Sequence, residues 1–173
     1  MFTPDTILAL LDTPSSNPEP SLSPLWDKIM QISEADLPVY GYQGLQTTQK
    51  TFSALRHYQG RLIYVDSGQI QISIGTENFN IRKNKVIWVP PFMRHQVRTD
   101  GNTSTKSIFI HSFLKMFLPD TFFCFNSNPL LEELVTIAST IAIDAKLNYR
   151  MKLLAAVLVE EIDIIYKRHY AAE

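Results

Sequence analysis

Few side chains in these 173 residues could act on a small molecule, and two short segments hold the most promising ones. The first runs Leu55-Arg56-His57-Tyr58-Gln59-Gly60-Arg61-Leu62-Ile63-Tyr64-Val65-Asp66-Ser67-Gly68 and offers His57 and Arg61. The second runs Asn84-Lys85-Val86-Ile87-Trp88-Val89-Pro90-Pro91-Phe92-Met93-Arg94-His95 and offers His95. Two imidazoles can hold a divalent metal weakly. A guanidinium can hold a carboxylate in two parallel hydrogen bonds. The two chemistries oppose each other, because a permanent cation repels a metal ion at close range. His111, in a strand-like run, and His169, near the chain end, gain no role. The one cysteine, Cys124, lies in the apolar run Thr121-Phe122-Phe123-Cys124-Phe125, which favours a buried structural thiol over a nucleophile. The chain has no Gly-rich phosphate loop, nucleophile elbow or helical His-Glu-x-x-His zinc motif.

Composition narrows the classes further. Hydrophobic residues make up 45% and charged residues 19%, the balance of a globular domain large enough to bury its own core. Sixteen basic and 17 acidic residues give a net charge of −1, without the basic stripe that grips phosphate backbones. A single cysteine excludes an internal disulfide framework and fits a reducing compartment. No stretch approaches the ~20 apolar residues of a membrane span. The start, Met1-Phe2-Thr3-Pro4-Asp5, lacks the positive region of a signal peptide. A cytoplasmic protein without a membrane partner is expected.

The elements that must position these residues follow from periodicity. Thr3-Pro4-Asp5 ahead of Ile7 to Leu11 predicts a short helix. Thr13 to Pro24, with four prolines and four serines, reads as an extended linker, and Leu25 to Ile32 as another brief helix. Gln69-Ile70-Gln71-Ile72-Ser73-Ile74 alternates as a half-buried strand does. Arg61 to Val65 and Lys85 to Val89 are short, β-branched and aromatic-rich. Breakers stand at 66–68, 75–78, 83–84, 90–91 and 100–102. Short strands about 8–12 residues apart predict an all-β sandwich or barrel. After Asn128, a natural N-cap followed by Pro129, the period becomes helical. Leu130, Leu131, Leu134, Val135, Ala138 and Ile141 share a stripe, and a second helix is expected from about Asn148 to Arg168. The run Leu153 to Val159 is apolar almost all round, so two of its faces call for burial. The expected organisation is an arm and linker over 1–36, a barrel over 37–125 and a helical pair over 126–173, in one compact domain.

The two segments together resemble the paired motifs of the cupin superfamily, and more closely those of the N-terminal domain of AraC-type transcription regulators. His57, Gly60, Leu62, Tyr64, Gly68, Trp88, Pro90, Pro91 and His95 hold the matching places. The helical tail, Asn128 to Leu134 with Leu153 to Glu161, resembles the segment that follows the barrel there. The likeness covers roughly Gln49 to Arg168. It implies a mainly β, cupin-like jelly-roll barrel followed by a C-terminal pair of α-helices.

Metal-binding cupins draw two histidines and a carboxylate or amide from the first motif and one histidine from the second. Here Leu55 stands for the first histidine and Arg61 for the glutamate or glutamine, so no metal and no other cofactor is expected. On the alignment Arg61 points into the barrel with Ile63 and Val65, since alternate strand residues share a face. A buried arginine needs an internal acid or an anionic ligand. The expected ligand-binding residues are His57, Arg61, Tyr64, Trp88 and His95. The plainer readings are barrel-lining histidines, a solvated Arg61 at the rim, and Tyr64 and Trp88 as core aromatics.

The resemblance implies the effector-binding and dimerisation domain of a regulator rather than an enzyme. Its partners would be a small, partly apolar and anionic effector, a second copy of itself, and DNA reached only through helix-turn-helix units that this chain lacks. The segment 1–24 has the composition of a movable arm, as in the arabinose-responsive member of the family. The dimer contact is expected along Met151, Leu154, Leu158, Ile162 and Ile165, paired about a two-fold axis. The alternative is a metal-dependent cupin enzyme, an isomerase or dioxygenase, and a third reading is a dimerisation module with a solid core.

Overall fold

The computed structural model describes residues 23–55 and 57–171. The helix expected at 7–11 and most of the Pro/Ser linker lie outside the described residues. Helix α1 (Pro24–Met30) starts where Ser23 accepts the Trp26 N–H at 3.1 Å, and Leu25 and Ile29 are its buried residues.

Nine strands follow, β1 (Val39–Gln46), β2 (Lys50–Leu55), β3 (Gly60–Ser67), β4 (Gln69–Ile74), β5 (Glu77–Arg82), β6 (Lys85–Val89), β7 (His95–Thr99), β8 (Thr103–Ile110) and β9 (Phe123–Asn126). They form two antiparallel sheets, a five-stranded one ordered β1-β8-β3-β6-β9 and a four-stranded one ordered β2-β7-β4-β5. The expected barrel is thus two facing sheets, the jelly-roll arrangement. Several reversals use the left-handed region at expected breakers: Gly68 (φ 74°), Gly75 (φ 61°), Asn84 (φ 63°) and Asn102 (φ 62°).

Alternation sorts β3 and β6 into two cores. Ile63, Val65, Ile87 and Val89 face the four-stranded sheet and pack with Ile70, Ile72, Ile81 and Val97. Leu62, Tyr64, Val86 and Trp88 face the other way, onto the helices. Both faces of these strands are covered, which is why they read as continuous apolar runs. Gly60 is fixed by this packing, because a Cβ there would lie 2.1 Å from Trp88 Cη2.

After a 3-10 turn at Ser112–Phe117, helices α2 (Pro129–Ala138) and α3 (Tyr149–Tyr170) cover the five-stranded sheet. Asn128 and Asn148 cap them, accepting from Leu131 N at 2.8 Å and Met151 N at 3.0 Å.

The α3 stripe expected at a dimer contact faces inward. Leu158 and Ile162 are 0% exposed within the chain's own core, and Met151, Leu154 and Ile165 are half-buried. The helix-side core takes this face, because α3 lies over α1, α2, β1 and the 3-10 turn. The aliphatic residues that α3 exposes most are instead Leu153, Val157 and Ile164.

Candidate functional site

The inner face of the five-stranded sheet changes character at one end. Aliphatic packing fills the space between the sheets from Ile63 to Val97, and beyond it stands a cluster of polar and aromatic groups. Strand register builds this cluster. Arg61 on β3 lies opposite Phe109 on β8, and Tyr42 on β1 lies opposite Ser107 on β8. Odd positions on β3 and β8 and even positions on β1 therefore share the inner face.

Arg61 is the centre, and it is only 5% exposed. Its Nη2 donates to Tyr42 Oη at 2.9 Å and to Ser107 Oγ at 3.0 Å, and its Nη1 stands 3.4 Å from His95 Nε2. Its Cζ lies 5.5 Å from the Phe109 ring centre. Every one of these partners is neutral, and no carboxylate among the described residues forms an ion pair with it. Arg61 Nε is buried and unpartnered, as is His57 Nε2. Burial pulls the guanidinium pKa below its usual value, and the Tyr42 hydroxyl opposes that shift.

The histidine protonation states follow from their partners. His95 Nδ1 is 3.0 Å from the Met93 carbonyl, which can only accept, so Nδ1 carries the proton and Nε2 receives from Arg61. Burial is the main reason that the His95 pKa drops to about 4, helped by the positive charge of Arg61, while the Met93 bond resists. His57 is also lowered, first by burial and then by Arg61. Its ring sits 5.7 Å from that of His95 and edge-on to Phe109 at 5.1 Å.

The turn after β6 holds His57 in place. Phe92 N–H donates to the His57 carbonyl at 2.7 Å, and Phe92 adopts φ 65°, a costly conformation for a bulky residue. The Phe92 ring packs edge-on against Tyr58. A pocket of about 400 Å³ opens beside His95, between Ser73, Gly75, Arg94 and Gln96.

Of the five residues expected to bind a ligand, the structure brings His57, Arg61 and His95 together. Tyr64 and Trp88 lie on the opposite face of the sheet. Tyr64 hydrogen-bonds Asn84 Oδ1 at 3.4 Å, and Trp88 Nε1 donates to the Pro119 carbonyl at 2.9 Å, so both serve the helix-side core. Tyr42, Ser107 and Phe109 complete the site and were not singled out in the sequence. The apolar run Ile108-Phe109-Ile110 is strand-like in the sequence, but its register against Arg61 is not legible there.

The cupin metal centre does not fit these residues. His95 Nε2, the nitrogen free to ligate, faces a guanidinium, and Leu55 cannot ligate. Among the described residues no three His, Cys, Asp or Glu side chains converge. An unpartnered Nε–H on a guanidinium with no carboxylate partner among the described residues suits an anion better than a metal ion.

No protein-family model and no curated protein matches the sequence. Solved structures do. ToxT from Vibrio cholerae, an AraC-type regulator, aligns at 12% identity with a TM-score of 0.50, over 76% of this chain and 57% of that one. ToxT from Vibrio cholerae O395 bound to (E)-4-(8-methylnaphthalen-1-yl)but-3-enoic acid aligns at 12% identity with a TM-score of 0.51, over 76% and 58%. A cupin-2 domain protein from Shewanella frigidimarina aligns at 13% identity with a TM-score of 0.39, over 43% and 72%. This chain thus spans somewhat more than half the length of ToxT, and it shares the fold of the ToxT N-terminal domain: two antiparallel sheets of cupin type followed by helices.

Proposed function

We propose that this chain is the effector-binding and dimerisation domain of an AraC-type transcription regulator, and that its effector is a small, partly apolar anion. One observation carries the reading. Arg61 is a buried cation surrounded by neutral acceptors, and its buried Nε has no partner. A buried charge without a counter-charge costs several kcal/mol, and an anionic ligand would offset it. Phe109, with Tyr40 stacked on it, forms an aromatic wall beside the guanidinium that suits an apolar tail. The deep interior is filled by aliphatic side chains, so the ligand lies at the aromatic end rather than along the middle. The shared fold supports the regulator assignment, and the acid bound by ToxT is consistent with an anionic effector.

The site is a binding site and not a catalytic one. No carboxylate among the described residues joins the histidines as an acid–base partner. DNA would be reached through helix-turn-helix units of the whole regulator, in the cytoplasm. Among the described residues no helix is long and apolar enough to cross a membrane.

Calorimetric titration with 4-phenylbutyrate and decanoate, against their uncharged amides, tests the proposal. The acids are expected to bind and the amides not, and Arg61→Met should weaken the acids about a hundredfold or more. Equal binding of acid and amide, or an Arg61→Met variant with unchanged affinity, would remove the anion from the account.

A further inference from the structure

We propose that Tyr42 is the group an incoming anion displaces from Arg61, and that β1 carries this displacement to the connection between α2 and α3. The inference rests on the anion-binding reading above and assigns its regulation. A guanidinium has five N–H groups, and it holds a carboxylate through two parallel ones on neighbouring nitrogens. Both Nη2 hydrogens are engaged, by Tyr42 and Ser107, while Nε has no partner. An anion seated on the Nε–Nη2 edge must therefore take one Nη2 hydrogen from one of these oxygens.

The two acceptors differ in freedom. Ser107 is 1% exposed and sits on β8, which is paired on both sides by β1 and β3. Tyr42 is 44% exposed, on the edge strand β1. Only Tyr42 can leave by turning into water, and doing so would bare the face of Phe109 on which it stacks at 6.1 Å. An apolar ligand tail can then take its place.

The residues on either side of Tyr42 are tied to the helical layer. Gly41 N–H donates to the Ile141 carbonyl at 2.9 Å, and Gln43 Nε2 donates to Ser139 Oγ at 3.1 Å. Ser139 is the C-cap residue of α2, and a Cβ on Gly41 would lie 2.9 Å from Ser139 Cα. The strand backbone is thus packed against the start of the α2–α3 connection with no slack. A shift of β1 at Tyr42 must be taken up at 139–148, which sets where α3 begins. Such coupling needs an element with two arrangements, and the Tyr42–Arg61 contact supplies it.

Hydrogen–deuterium exchange with 4-phenylbutyrate and decanoate, on the full chain and on Tyr42→Phe, tests this. Tyr42→Phe keeps the ring on Phe109 and removes the hydroxyl. In the parent chain the acids should change exchange at least threefold over 139–148. The variant should bind them three- to tenfold more tightly, with exchange over 139–148 unresponsive to them. Ser107→Ala should not tighten binding. Weaker binding by Tyr42→Phe would make the hydroxyl a ligand contact and overturn the proposal, as would equal tightening by Ser107→Ala. Acid binding without any response at 139–148 would overturn the coupling alone. A parent chain that binds neither acid would sink the anion-binding reading itself, and this inference with it.

Discussion

At the scale of single residues, Arg61 stands at the centre of the site, in contact with Tyr42, Ser107 and His95. Burial, with the Arg61 charge adding to it, keeps His95 neutral, and a neutral His95 is what allows Nε2 to accept from the guanidinium. The folded-state pKa of about 4 lies below the ordinary value of 6.5, so the unfolded chain takes up the proton first as pH falls. The His95 contribution is complete above pH 6.5 and is lost as pH drops towards 4. Urea unfolding from pH 7 to pH 4 should therefore show about 2 kcal/mol more acid destabilisation in the parent chain than in His95→Gln. Identical pH profiles would mean that His95 titrates freely. Anion binding works in the opposite direction. A negative group beside His57 and His95 favours their protonated forms, and their NMR titration midpoints should rise in its presence.

At the scale of elements, close packing makes single atoms decisive. Gly60→Ala drives a methyl group into Trp88 and should cost about 2–3 kcal/mol in chemical denaturation. Gly75→Ala meets open space and should cost only about 1 kcal/mol, for its left-handed backbone. On α3, Leu158→Ala opens the core and should cost about 2–5 kcal/mol, whereas Val157→Ala should stay within about 0.5 kcal/mol. Similar costs at 157 and 158 would contradict the observed helix orientation. Much of this was legible in the sequence. The alternation of Gln69 to Ile74 and the caps Asn128 and Asn148 are local signals, and they gave β4, α2 and α3 their starts. Alternation also placed Arg61 with Ile63 and Val65, and that parity already sends Tyr64 to the opposite face. Trp88 was harder to place, because β6 is buried on both sides and its run shows no polar face. Tyr42 and Ser107 could not be found, since they meet Arg61 through pairings across long stretches of chain that no local pattern encodes. The facing of α3 is illegible for a related reason, because a helix apolar almost all round does not say which face the core will take.

At the scale of the whole molecule, three layers divide the work: helices, a five-stranded sheet and a four-stranded sheet. The anion site proposed above would lie between the sheets, and the exposed apolar residues of α3 lie on the far side of the helices. The exposed apolar residues Leu153, Val157 and Ile164 follow helical spacing along α3, and a two-fold contact should use them. Sedimentation of Leu153→Glu/Val157→Glu should show a monomer that still folds, with a melting temperature no longer dependent on protein concentration. A dimer that survives these charges would move the contact elsewhere. An anion seated on Arg61 would register at the arginine Nε–Hε signal of Arg61 in ¹⁵N-resolved NMR. Because that hydrogen is buried and unpartnered, titration with 4-phenylbutyrate or decanoate should move its resonance downfield and saturate, while the matching amides leave it in place. If the acids bind and shift signals elsewhere while the Arg61 Hε resonance stays still, the anion does not sit on Arg61 and the account fails.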